Sequence, residues 1–143
     1  GGSVSIRSAD NPDRLRGAGL DYVVLDEFAF MKESTWAEVV RPTLTERQGG
    51  ALFISTPRGF NHFEKIYHQA EDLNDWNRWL LPTSTNPHVP KSELQIARKE
   101  IGSYLFSQEY EAKFVELSGG MFQQDWFKRF TMEETTVLND EGF

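Results

Sequence analysis

Two short runs of uninterrupted apolar residues restrict this chain more than any other feature: Tyr22 to Leu25, and Ala51 to Ile54. Four or five apolar residues in a row, rich in Val, Ile, Phe and Tyr, are the pattern of a strand buried on both faces, as in a parallel sheet. Each run stops at polar residues. The first ends in Asp26 and Glu27, with Phe28, Ala29 and Phe30 apolar again after them, and the second ends in Ser55, Thr56, Pro57 and Arg58. Strands of a parallel sheet share the edge at which ligands bind, outside their carboxyl ends. The two polar endings are therefore expected side by side. Read singly, Asp26 and Glu27 suit the solvated start of a loop equally well, and "STP" suits a strand-ending turn.

The segments between and after the runs read as helices and loops. Ser3 to Ser8 alternates, with Val4 and Ile6 on one side, and predicts an edge or half-buried strand. Thr35 and Glu38 are spaced as a capping box, so a short helix is expected from about Ser34, with Pro42 ending or kinking it. Gly49 and Gly50 turn the chain into the second run. Asn61 with Glu64 predicts another helix start, followed by Phe63, Ile66, Tyr67 and Ala70 at helical spacing. Trp76 to Leu81 reads as a strand closed by Pro82, and "PTSTNPHVP" as a loop. Ser92 with Gln95 opens a helix, and a further one is expected from Tyr104 to Phe114 after Gly102. Gly119 and Gly120 mark a boundary, beyond which Phe122, Trp126, Phe127 and Phe130 fall on one face of a short helix. Strands alternating with helices place the chain in the α/β class with a mainly parallel sheet.

Composition removes several classes of function. The 143 residues suffice for one core, and 38% hydrophobic content is that of a folded chain. There is no cysteine, so disulfides and thiolate metal sites are excluded. His62, His68 and His88 lack a ligand spacing and read as surface or loop residues. No run reaches the length of a membrane span, which makes a soluble intracellular protein the expectation. A net charge of −7 argues against autonomous nucleic-acid binding. The one basic cluster, Arg7, Arg14 and Arg16, is interleaved with Asp10 and Asp13.

Two acids at one strand end and two hydroxyls at the next have a chemical reading. A nucleotide hydrolase needs one carboxylate to hold Mg²⁺ through its waters and a second to orient or deprotonate the attacking water. Hydroxyls on the neighbouring strand would sense the γ-phosphate through hydrogen bonds gained or lost. With these residues in view, "YVVLDE" resembles the Walker B motif, and "STPRG" the coupling motif, of the large terminase subunit, the DNA-packaging motor of tailed phages. "SADNPDRLRG", "RPTLTERQGGALFISTPRGFNHFEKIY", "NPHVP", "QEYEAKF" and "GGMFQQDWF" are similar to that family's pattern in the same order, across almost the whole chain.

The resemblance implies a RecA-like ATPase of the P-loop class, using ATP and Mg²⁺ to drive double-stranded DNA into a procapsid in the cytoplasm of an infected bacterium. It implies that Asp26 coordinates Mg²⁺ through water, that Glu27 is the catalytic carboxylate, and that Ser55 and Thr56 couple hydrolysis to DNA movement. Arg16 or Arg58 would offer positive charge to the phosphates of its own or a neighbouring subunit's ATP, although bracing a loop or pairing with a nearby acid suits either arginine as well. The implied partners are DNA, the portal protein, the small terminase subunit and other copies of the chain, with no membrane. Residues 1–117 would form the C-terminal portion of the ATPase domain and 118–143 a linker toward a nuclease domain.

No G-x-x-x-x-G-K-[ST] occurs in the sequence. In the family that phosphate-cradling loop and its strand lie upstream, so these residues alone are expected to bind ATP weakly or not at all, and an unpaired strand edge would invite a second copy. A helicase-type ATPase also places Asp-Glu and Ser/Thr at successive strand ends, but leaves "LRG", "QEYEAKF" and "GGMF" without a role. A non-catalytic assembly module binding portal or other terminase subunits is the alternative from outside the enzymes.

Overall fold

The computed structural model describes residues 1–17 and 19–116. The aromatic series Phe122 to Phe130, the boundary at Gly119 and the expected 118–143 linker lie outside the described residues. Both apolar runs are strands, β1 (Tyr22–Asp26) and β2 (Gly50–Ile54), and they pair in parallel with Tyr22 opposite Gly50 and Asp26 opposite Ile54. Asp26 is thus the last residue of its strand rather than the first of a loop.

The crossover between them is helical, although it departs from the expected form. Thr35–Val40 is a π-helical stretch that runs directly into α1 (Arg41–Thr45). Pro42 neither ends nor breaks it, because the wider turn rearranges the ladder: the Arg41 N–H donates to the Trp36 carbonyl, five residues back. Pro42 has no N–H to offer the Glu38 carbonyl, and the Arg16 guanidinium donates to that oxygen instead at 3.0 Å. The expected capping box is not formed either. Ser34 occupies the N-cap without a side-chain bond, and the Thr35 hydroxyl is fully buried with no partner among the described residues.

The crossover packs on one face of the sheet. Leu25, Phe28, Val40 and Leu44 form the core, with Val23, Ala51 and Phe53 of the strands, Trp36 and Phe63 against it. On the opposite face β1 is open among the described residues, with Tyr22 58% exposed where Leu25 is 3% exposed, while Leu52 of β2 is half-buried in a hollow shared with Trp79, Leu80 and Leu81. The expectation of burial on both faces is corrected to one face, since helices flank only that side here. At the entrance to β2 the backbones approach closely. A Cβ on Gly49 would collide with the Leu20 carbonyl oxygen and lie 2.8 Å from Leu44 Cδ2, so only glycine fits.

After β2 come α2 (His62–Gln69) and α3 (Lys91–Glu109). Asn61 caps α2 as the sequence predicts, its side chain accepting from the Phe63 N–H at 3.0 Å. Gly102, at φ 76 and ψ 165, kinks α3 at the expected break. The second part ends at Glu109 rather than Phe114; Ala112 turns left-handed, and the Phe114 ring packs back on Phe63 and Tyr67 at 5.7 and 5.4 Å. Two expected strands do not form. Val4 and Ile6 are fully exposed, with no strand to pair with among the described residues, and Trp76 to Leu81 is irregular. Trp76 is held by stacking on Phe53 at 5.7 Å, a side-chain contact in place of a ladder. The "PTSTNPHVP" loop contains one short 3₁₀ turn, Thr83–Thr85.

Candidate functional site

Parallel pairing with Asp26 opposite Ile54 puts the next residues of both chains, Glu27 on one side and Ser55 and Thr56 on the other, at a single sheet edge. The juxtaposition expected from two apolar runs is therefore present. Asp26 and Glu27 are both exposed there, and Asp26 Oδ1 accepts from the Glu27 N–H at 3.1 Å. Glu27 sits in the left-handed region, φ 54 and ψ 40. For a residue other than glycine that conformation costs about 1–3 kcal/mol and persists only where the surroundings impose it.

The surroundings are the turn that follows, Phe28–Phe30, and the segment after β2. Phe28 is 1% exposed, and the rings of Phe53 and His62 each meet it edge to face at 4.8 Å. Every other fixed point comes from more than twenty residues away in sequence. The Ala29 N–H donates to Ser55 Oγ at 3.1 Å, and that hydroxyl donates to the Thr56 carbonyl. Asn61 Nδ2 donates to the Ala29 carbonyl at 3.0 Å, and His62 Nε2 donates to the Phe28 carbonyl at 2.9 Å, which sets its tautomer. The Arg58 guanidinium lies over the Phe30 ring at 4.6 Å.

Asn61 and His62 are the members of this arrangement that sequence reasoning missed. Asn61 was legible as a helix cap, but its second bond is to a carbonyl 32 residues away. His62, expected at the surface, is half-buried as the first residue of α2. The only local signal was an Asn-His pair at a helix start.

The two arginines differ. Arg58 is exposed beside the acidic turn. Arg16 pairs with Asp13 at 3.0 Å and bonds the Glu38 carbonyl, on a hollow of about 210 Å³ lined also by Gly17, Pro42 and Glu46. None of Asp26, Glu27, Ser55 and Thr56 lines that hollow. Arg16 thus braces the crossover in this structure, and its guanidinium remains half-exposed.

Asp26 offers one exposed carboxylate to a cation at this edge. No cluster of three or more His, Cys, Asp or Glu that would cage a metal occurs among the described residues. A single exposed carboxylate, with one oxygen engaged by a backbone N–H, fits Mg²⁺, which keeps most of its waters and takes one or two protein oxygens.

Comparison with known proteins agrees in sequence and in fold. The family described as "Terminase large subunit, T4likevirus-type, N-terminal" matches residues 1–129. The large terminase subunit of Thermus phage G20c is 39% identical over 136 residues, covering 81% of this chain and 27% of that protein. That of Escherichia phage T5 is 32% identical over 126 residues, covering 85% of this chain and 29% of that protein. The large terminase ATPase domain of Thermus phage P74-26 superimposes with a TM-score of 0.58 at 35% identity, over 76% of this chain and 49% of that one. The chain thus spans somewhat more than a quarter of the length of these relatives, and about half of the solved domain. Its fold is the RecA-like α/β type, a parallel sheet flanked by helices.

Proposed function

Because this chain belongs to the large terminase subunit family, we propose that it supplies the acid-bearing half of the ATPase site of a viral DNA-packaging motor. The observation that carries the reading is the parallel register that brings Asp26 and Glu27 to the same edge as Ser55 and Thr56. Asp26 would hold a hydrated Mg²⁺, and that ion would supply positive charge to the nucleotide's phosphates. Glu27 orients the attacking water and accepts its proton. The left-handed backbone at Glu27 supports this role, because strain at an exposed acid is retained where its placement matters. Ser55, bonded to the Ala29 N–H, links the acidic turn to β2, and Thr56 beside it completes the pair that relays hydrolysis to the DNA-gripping parts.

Arg58 or Arg16 supplies a cation to the phosphates, of this subunit's nucleotide or a neighbour's. A guanidinium so placed is worth ~10³ to 10⁵ in rate. For Arg16 this requires release of the exposed Asp13 pair, which costs little, and of its bond to the Glu38 carbonyl, which leaves that oxygen without the donor that replaces the Pro42 N–H. The remaining assignments follow the family: double-stranded DNA as the translocated substrate, portal protein, small subunit and other copies as partners, residues 118–143 as a connection toward a nuclease domain, and the host cytoplasm as the place of action. No helix among the described residues is long and apolar enough to cross a membrane.

The sequence itself holds no Gly-Lys-Ser/Thr loop, so the test uses the full-length protein that contains this chain. Glu27→Gln is expected to lower ATP turnover ~10² to 10⁴-fold while ATP affinity is kept, as for loss of a general base. Turnover within threefold of the parent would remove Glu27 from the mechanism.

A further inference from the structure

The Ser55 hydroxyl, just after β2, accounts for one link between the acidic turn and the rest of the chain, yet two more come from the start of α2. Asn61 uses both ends of its amide. Its oxygen accepts from the Phe63 N–H and caps the helix, while its nitrogen donates to the Ala29 carbonyl. His62, the next residue, donates to the Phe28 carbonyl and presses its ring edge to face on Phe28. The first residues of α2 thereby hold two successive carbonyls of a turn whose own ladder begins at Glu27: the Phe30 N–H donates to the Glu27 carbonyl at 2.9 Å.

We propose that Asn61 is a positioning residue that joins α2 rigidly to the acidic turn, so that displacement of Glu27 during the nucleotide cycle is delivered to α2 as a whole. The proposal rests on the assignment of Glu27 to an ATPase site. Its physical content is a choice of output element. The turn is short, and Glu27, in a strained left-handed state, is the residue best placed to change backbone conformation when its carboxylate gains or loses a partner. A shift there moves the Phe28 and Ala29 carbonyls, and both are bonded to α2 rather than to water. Phe28 is almost wholly buried between them and β2, so the movement is not absorbed by loose packing. An exposed ion pair, Lys65 with Glu33 at 3.1 Å, also joins the middle of α2 to the loop before the π-helical stretch.

Asn61→Asp separates the two functions of this side chain. A carboxylate caps a helix as well as an amide does, but it has no donor for the Ala29 carbonyl and places a second acceptor against it. Asn61→Ser is the control without that repulsion, since its hydroxyl caps α2 and is too short to reach Ala29. In the full-length protein, hydrogen exchange of the Phe30 and Met31 amides is expected to rise about tenfold in both variants, the effect of one lost hydrogen bond, with α2 protection unchanged. In the parent, a non-hydrolysable ATP analogue with Mg²⁺ should alter exchange in both the turn and α2; in the variants the α2 response should fall well below the parent's, with the His62 bond to the Phe28 carbonyl as the link that remains. kcat per folded enzyme, with the folded fraction fixed by circular dichroism because partial unfolding alone would also lower kcat, should fall about tenfold with KM unchanged. Unchanged exchange at Phe30 and Met31 in the variants, or a nucleotide response of α2 that survives both substitutions undiminished, would overturn the proposal. A parent without ATPase activity would instead overturn the functional assignment, and the nucleotide-free exchange arm judges the joint independently of it.

Discussion

The acidic turn and the C-terminal helix of the described chain are held by opposite kinds of contact. Around Phe28–Phe30 the fixing groups are remote in sequence: Ser55, Arg58, Asn61 and His62 converge on a three-residue turn whose Phe28 fills the centre of the core. Around α3 they are local. Phe106 is buried by Tyr110, stacked on it at 5.0 Å, and by Arg98, over its ring at 4.9 Å; Glu111 collects Arg98, Ser107 and Lys113. The links from this part to the rest include the Phe114 ring on α2 and the Thr83 N–H bond to the Tyr110 carbonyl. A region built from remote contacts transmits displacement and is costly to perturb. One built from local contacts keeps its own shape and tolerates reorientation.

The largest test of that difference is a pair of truncations. Phe28→Ala, at a ring 1% exposed between β2 and α2, is expected to destabilise the protein by about 3–5 kcal/mol in chemical denaturation, because the site is walled by several elements and collapses poorly. Phe106 is nearly as buried, at 6% exposed, but its ring neighbours Tyr110 and Arg98 are near it in sequence. Phe106→Ala should cost clearly less and leave hydrogen exchange at Phe30 and Met31 as it was. Equal losses would erase the distinction between the two regions.

Two glycines sharpen it at the level of the backbone. A methyl on Gly49 meets the Leu20 and Asp21 carbonyl oxygens and Leu44, groups fixed by β1 and by the core, so Gly49→Ala is expected to cost about 1–3 kcal/mol. A methyl on Gly102 meets nothing within 4 Å, and only its positive φ opposes the change. Straightening α3 would relieve that strain only by parting Arg98 from Phe106 and Glu111, contacts that cross the kink. Gly102→Ala should cost less than Gly49→Ala, the strain of one residue at positive φ without a collision. A larger penalty at Gly102 than at Gly49 would mean that the kink, and not the strand entrance, is the constrained feature.

The same contrast explains what could be read from the sequence. The strand pair was legible because two apolar runs ending in polar residues leave few arrangements, and the parallel pairing follows from the helical crossover between them. Asn61 and Gly102 were legible because caps and breaks are local chemistry. Burial of one sheet face was not, since periodicity reports what a strand can cover and not what covers it. Pro42 misled for a physical reason: its missing N–H normally ends a helix, but here the π-helical turn and the Arg16 guanidinium, 22 residues from the carbonyl it serves, make up the deficit. The Trp76 to Leu81 segment has strand propensity, yet the ring of Trp76 on Phe53 decides its path. At the candidate site, Asp26, Glu27, Ser55 and Thr56 were legible as endings. Asn61 and His62 were not, because their partners are backbone carbonyls, which no sequence pattern marks.

The smallest expected effect belongs to Glu111 and probes the local region alone. The Lys113 ammonium bonded at 2.8 Å, then the Ser107 hydroxyl and the charges of Lys113 and Arg98, hold its carboxyl below the usual range, against an opposing effect of burial. A carboxylate whose pKa is lower in the folded chain than in the unfolded one contributes stability that is fully present above the ordinary glutamate value, about 4.3. That contribution fades as pH falls through the folded value. Glu111→Gln should therefore lower the denaturation midpoint slightly at pH 7, less so in high salt because Arg98 and Lys113 are largely exposed, and the gap to the parent should close on acidification. Because the cluster is local to the end of α3, exchange at Phe30 and Met31 should not change at any pH. A gap that stays constant from pH 7 to well below the glutamate range would show that the side chain acts through packing rather than charge, and a response at the acidic turn would join two regions that the contacts keep apart.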